Sequence, residues 1–181
     1  MKTISYKLIL ALMLLPLLSY CGNNSDTGRH TKQKKITKTF NVSENALLEI
    51  DNSYGNVDIT TWNENRVEIE VTITTNGNDE EKVIERLKEI GVNFSNSSSK
   101  VTAKTYFERE DSSWWNKIFN SSNNVNMEIN YRVKAPVTND VDISNDYGSI
   151  SIDRLEGNAK LSCDYGRLLV GELRGDNNLL S

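Results

Sequence analysis

Two aspartates eighteen residues apart, Asp146 and Asp164, each stand directly before a Tyr-Gly pair. If their segments lie on adjacent strands, the carboxyls are roughly 4.8 Å apart. At that spacing one acid holds its proton against the other's charge, or both share a cation. A matching segment earlier in the chain has Ser53 at that place, and the Gly-Gly-x-Gly-x-Asp repeat of calcium-binding β-helices does not occur. Turn-capping aspartates are therefore favoured over a metal site. The pairs beside them are Tyr54-Gly55, Tyr147-Gly148 and Tyr165-Gly166. Glycine suits a turn that needs positive φ, and each tyrosine offers a flat ring to stack on its equivalent. A structural ladder of turns is the favoured reading, and a stripe of rings that binds sugar faces is the alternative. Cys163 aligns with Asn145 and Asn52 on the parity of Leu161. With no cation beside it in sequence, it is expected to be a buried, inert thiol.

His30 is the only histidine. It falls in a polar N-terminal stretch, which excludes a Ser-His or Cys-His pair and a His-rich metal site within the folded domain. The chain has no Gly-x-Ser-x-Gly, phosphate-cradling loop or dinucleotide fingerprint. Hydrolysis by carboxylates alone stays compatible with 25 acidic residues. Most of these acids occupy outward strand positions, where solubility accounts for them. No catalytic residue, metal or cofactor is assigned.

One group of large apolar residues has no place in this pattern. Trp114, Trp115, Ile118 and Phe119 lie inside a Ser/Asn-rich loop and fall on one side of a helical turn. They either fold back as a plug over the sheet or form an exposed contact patch for a membrane interface or partner protein.

These residues are positioned by a repeat. Residues 141–157 and 159–175 match at a period of eighteen, pairing Ile143 with Leu161, Ile150 with Leu168, Ile152 with Val170 and Leu155 with Leu173. Each copy is a unit that cannot bury its apolar face alone, so the copies stack. Residues 51–59 are a further copy. The alternation predicts Ile152 and Val170 inward and Ser151 and Leu169 outward. Period-two patterning also predicts strands through Leu48 and Ile50, Val67 to Ile73, Val101 to Phe107 and Val125 to Val133. One amphipathic helix is expected over residues 78–90, with acids in its first turn and Gly91 as its stop. The chain ends Asn177-Asn178-Leu179-Leu180-Ser181, with Leu179 read at the inward position of Ile143 and Leu161. An uncovered last rung is expected to belong to a longer protein or to pair its open edge with another copy or a partner.

The N-terminus supplies an address. Lys2 and Lys7 flank polar residues, an eleven-residue apolar run spans 8–18, and Ser19-Tyr20-Cys21-Gly22 follows. The run is too short for a span of about 20 residues and has the proportions of a signal peptide. Leu18-Ser19-Tyr20-Cys21 resembles a bacterial lipobox, which implies a lipid on Cys21 and a membrane as partner. Gly22 after the cysteine resembles sorting to the outer membrane in a cell with two membranes. Residues 1–20 thus read as a signal peptide, 21–35 as a flexible tether without large apolar side chains, and 36–181 as the folded domain. Removing residues 1–20 takes two lysines and no acid, moving the formal net charge from −4 to −6. Such a balance gives no general attraction for nucleic acid.

The segment Asn52-Ser53-Tyr54-Gly55-Asn56-Val57-Asp58-Ile59, the following Trp62, the inserted helix, a strand ending at Ala135-Pro136 and the repeated Tyr-Gly rungs together resemble an adhesin-like β-helical family of bacterial envelope proteins of unknown function. The likeness covers residues 36–181. It implies an all-β fold, a β-solenoid or β-helix-like stack with 18-residue rungs, plus one inserted amphipathic helix. It also implies a lipid-anchored binding or scaffolding protein whose ligand is an envelope protein or a glycan. The alternatives are a carboxylate-dependent polysaccharide-active enzyme and an envelope sensor or regulatory partner.

Overall fold

The computed structural model describes residues 28–108 and 125–181. Cys21 and the cluster of Trp114, Trp115, Ile118 and Phe119 lie outside the described residues. Alternating apolar and polar side chains produce twelve strands: β1 (His30–Asn41), β2 (Leu47–Tyr54), β3 (Val57–Trp62), β4 (Arg66–Gly77), β5 (Ile90–Asn96), β6 (Lys100–Phe107), β7 (Asn126–Pro136), β8 (Asp140–Tyr147), β9 (Ile150–Leu155), β10 (Ala159–Tyr165), β11 (Leu168–Leu173) and β12 (Leu179–Leu180). Among the described residues one helix, α1 (Glu80–Glu89), joins β4 to β5. The strands form two six-stranded sheets, ordered β1-β4-β7-β3-β9-β11 and β12-β10-β8-β2-β6-β5. Both sheets feed one apolar cluster, in which Leu48, Ile69, Ile73, Ile129, Ile143, Ile150 and Leu161 are fully buried.

The eighteen-residue repeat appears as parallel pairing in register. Ile50 lies opposite Ile143 and Ile143 opposite Leu161 in one sheet. Ile59 lies opposite Ile152 and Ile152 opposite Val170 in the other. Ile152 is buried and Leu169 is exposed, as the alternation predicts. The whole, however, is a pair of mixed sheets and not a solenoid or β-helix. The pairs β1·β4, β4·β7 and β5·β6 are antiparallel. The cause lies in the segment between the first copy and the second. It contributes two long alternating strands, β4 and β7, which pair with each other, and β1 then covers the outer edge of β4.

Three local expectations are revised. β1 begins at His30, so residues 30–35, which composition marks as tether, pair with Thr72 to Gly77. Ile36 and Phe40 supply the apolar anchors of this strand, opposite Val71 and Val67. The helix starts as expected, with the Asp79 carboxylate accepting from the N–H groups of Glu81 and Lys82. Its end differs: Ile90 is already extended and the chain runs directly into β5. Gly91 therefore lies within a strand, where an added Cβ would stand 2.3 Å from the Tyr106 ring. At the other end of the chain, Leu180 and not Leu179 lies opposite Leu161. The Asn177 N–H donates to Asn158 Oδ1, nineteen residues away, so this turn holds one residue more than the repeat. Leu179 and Leu180 are both exposed.

Candidate functional site

Inside the rungs the turns are tied by side-chain amides. Asn52 and Asn145 are buried on the core side, where apolar residues would continue the pattern. Asn52 Nδ2 donates to Ile129 O (3.1 Å) and to Asn145 Oδ1 (3.1 Å), and Asn145 Nδ2 donates to Gly55 O (2.9 Å). Asn52 Oδ1 accepts from the Thr105 hydroxyl, which also bonds the Tyr131 hydroxyl. Buried amides are tolerated because each finds a partner. Cys163 takes the equivalent place in the next rung and directs its thiol to Gly148 O at 3.0 Å. It is half-buried, and partial burial together with the neighbouring Asp164 raises its pKa. An inert thiol fits this setting.

Outside the same turns the tyrosines form a column. Tyr54 and Tyr147 stack with ring centroids 5.3 Å apart and planes 8° apart, and Tyr147 and Tyr165 with 5.0 Å and 7°. Phe107 closes the inner end, edge-on to Tyr54. Exposure rises outward, to 45% for Tyr147 and 68% for Tyr165. The stacked ring faces are thus used on one another, and Tyr147 and Tyr165 present ring edges and hydroxyls to solvent, whereas the Tyr54 hydroxyl is buried. This geometry does not offer a stripe of free faces for sugars, the alternative considered from sequence. Gly55 (φ 115°) and Gly148 (φ 134°) have the expected positive φ. Gly166 does not, and glycine is required there because an added Cβ would lie 1.7 Å from Gly148 O.

Asp146 and Asp164 flank the column on the outward face of the second sheet. Among the described residues no three His, Cys, Asp or Glu side chains are grouped to hold a metal. Among the described residues the carboxyl with a raised pKa is Asp51, unmarked by the sequence pattern: partial desolvation raises it, Lys104 opposes, and the charges of Asp146 and Glu49 add to the rise. Glu49 shows the reverse. It bridges Lys100 (2.6 Å) and Lys104 (2.8 Å), and these hydrogen bonds, that from Lys100 foremost, lower its pKa from the ordinary 4.5 to about 2. A carboxyl depressed in the folded state stabilises above its unfolded pKa and loses that contribution as pH falls from about 4.5 towards 2. Solvent around the exposed lysines reduces the effect to about 1 kcal/mol. Glu49→Gln is expected to lower the urea midpoint at pH 7 and to leave it unchanged at pH 2.

No family model matches the chain, and no curated protein matches it in sequence. Among solved structures, the chain is similar to a "putative cell adhesion protein" from Clostridium sporogenes, at 12% identity and a TM-score of 0.51, over 82% of this chain and 66% of that one. A "putative adhesin" from Bacteroides fragilis aligns at 14% identity and a TM-score of 0.33, over 77% of this chain and 56% of that one. A "putative lipid binding protein" from Parabacteroides distasonis aligns at 11% and 0.29, over 81% and 60%. The likeness to the Clostridium protein is one of fold. This chain spans 66% of that protein's length. Among the described residues no helix is long and apolar enough to cross a membrane.

Proposed function

We propose that this chain is a lipid-anchored binding or scaffolding protein of the bacterial cell envelope, adhesin-like and without catalytic activity. The observation that carries the reading is the tyrosine column: three rungs in register hold Tyr54, Tyr147 and Tyr165 at fixed spacing on the core, with the outer edges of Tyr147 and Tyr165 in water. A repeated, preorganised surface of this kind suits recognition, because little ordering is required when a partner docks. Asp146 and Asp164 beside the column supply acceptors for an envelope protein or a glycan. Trp114, Trp115, Ile118 and Phe119 are a second candidate contact patch, and Cys21 is the anchor.

Two experiments test this. Cells fed a clickable fatty acid are expected to label the wild-type chain and not Cys21→Ser; equal labelling defeats the anchor. The Cys21→Ser chain is expected to be retained by isolated envelope fractions, and Tyr147→Ser with Tyr165→Ser to reduce that retention at a temperature where the variant, somewhat less stable for its lost stacking, is still fully folded. Absence of retention by the parent chain defeats the binding reading. A carboxylate-dependent enzyme is the second reading, supported by the raised pKa of Asp51 beside Asp146.

A further inference from the structure

The outward face of the first sheet holds a depression of about 450 Å³. Its floor is built from four adjacent strands, and its side chains fall into two cross-strand rows. In one, Thr37, Glu70, Arg132 and Asp58 lie opposite one another in succession. In the next, Glu68, Lys134 and Thr60 do so. Residues two apart on a strand share a face, so Arg132 and Lys134 stand side by side about 6.6 Å apart along β7.

The charges in these rows are not matched pairwise. Glu70 is taken by Lys35 (2.6 Å) and Glu68 by Arg66 (3.1 Å), both from outside the depression. Arg132 and Lys134 are exposed and form no ion pair among the described residues. Lys134 is nonetheless positioned, with its ammonium 5.3 Å from the centre of the Trp62 ring, which also carries the Arg66 guanidinium at 4.7 Å. Among the described residues, the depression therefore presents two cations without a counter-ion, one carboxylate in no ion pair at Asp58, and the hydroxyls of Thr37 and Thr60.

We propose that this groove binds a carboxylate-bearing saccharide, with Arg132 and Lys134 receiving the carboxylate and Asp58, Thr37 and Thr60 the sugar hydroxyls. The proposal rests on the envelope-binding reading and names its ligand class. A planar guanidinium matches a carboxylate bidentately. Asp58, opposite Arg132 in register, accepts hydroxyl donors and repels a second negative charge. That combination favours a monoanion rich in hydroxyls over a phosphate or a polyanion. The volume lies within the range of about 300–1,000 Å³ typical of small-ligand sites.

The test uses the full chain carrying Cys21→Ser, titrated calorimetrically with a short oligosaccharide that carries a single uronate and with the same oligosaccharide methyl-esterified at that carboxyl. The acid is expected to bind, and both esterification and Arg132→Gln are expected to weaken binding about tenfold. The melting temperature should not change, because the side chain is exposed. Equal affinity for acid and ester, undiminished binding by Arg132→Gln, or equally effective competition by inorganic phosphate overturns the assignment. Retention by envelope fractions with no binding of the single-uronate oligosaccharide also overturns it, while leaving the envelope reading intact. Uronate binding that depends on Arg132 without envelope retention upholds the groove and defeats the envelope reading.

Discussion

Ile152→Asp is expected to lower the stability of the domain by about 3 kcal/mol or more, whereas Ser151→Asp is expected to cost well under about 1 kcal/mol. The two residues are neighbours on β9 with side chains on opposite faces. Ile152 is 1% exposed and lies between Ile59 and Val170 in the parallel run of the first sheet. A carboxylate there loses its water, meets only apolar neighbours and has no counter-ion, so it must either protonate or open the core. Ser151 faces outward opposite Asp58 and Leu169. A new acid at that position meets the Asp58 charge through solvent, which screens it. Chemical denaturation of the two variants measures the difference, and coincident midpoints would refute the register.

The same pair illustrates how much of the fold is legible in the chain. A period of eighteen with matched apolar residues implies parallel neighbours in register, and Ile143 opposite Leu161 follows from that alone. The partners of β4 do not follow, because a strand of alternating residues states which face is buried and not which strand lies beside it. The mixed sheets arise from such long-range choices, and a solenoid is the natural overextension of the repeat. β1 was obscured by its lysines: Lys32 and Lys34 lie on the inward parity, yet Lys32 reaches Glu80 (2.6 Å) and Lys34 reaches Ile90 O, both available only after the helix region has folded against the strand. The slip at Leu179 reflects one extra residue in a turn, a difference with no apolar signature.

The candidate sites divide in the same way. The tyrosine column is a property of the repeat and was visible in it, but the orientation of the rings was not. Only the 7–8° between planes shows that the faces are occupied by one another. Asn52 and Asn145 sit on the inward parity, and asparagine there reads as a turn residue until its amide partners are known. Arg132, Lys134 and Asp58 come from two strands distant in sequence, and the alternation that places them outward gave no sign that their charges would lack partners.

Gly148→Ala is expected to cost about 3 kcal/mol or more and to disrupt the tyrosine column, although the substitution adds one carbon at a half-buried turn. Two effects combine. A φ of 134° lies in a region that side chains rarely adopt, which costs about 1–3 kcal/mol by itself. The added Cβ would then stand 2.0 Å from Gly55 O and 2.6 Å from Gly55 C. These are backbone atoms of the adjacent rung, so no side-chain rotation relieves the contact, and the rungs must separate. Their separation is resisted by the bond from Asn145 Nδ2 to Gly55 O (2.9 Å), by the bond from Gly55 N–H to Tyr147 O (2.8 Å) and by the stacking of Tyr54 on Tyr147. The near-ultraviolet circular dichroism of the stacked tyrosines and the thermal midpoint are therefore expected to fall together. Asp146→Ala, two residues away on the outward face, is expected to preserve both. A Gly148→Ala chain with wild-type melting and an unchanged tyrosine signal would show that the rungs do not pack through their turns as described.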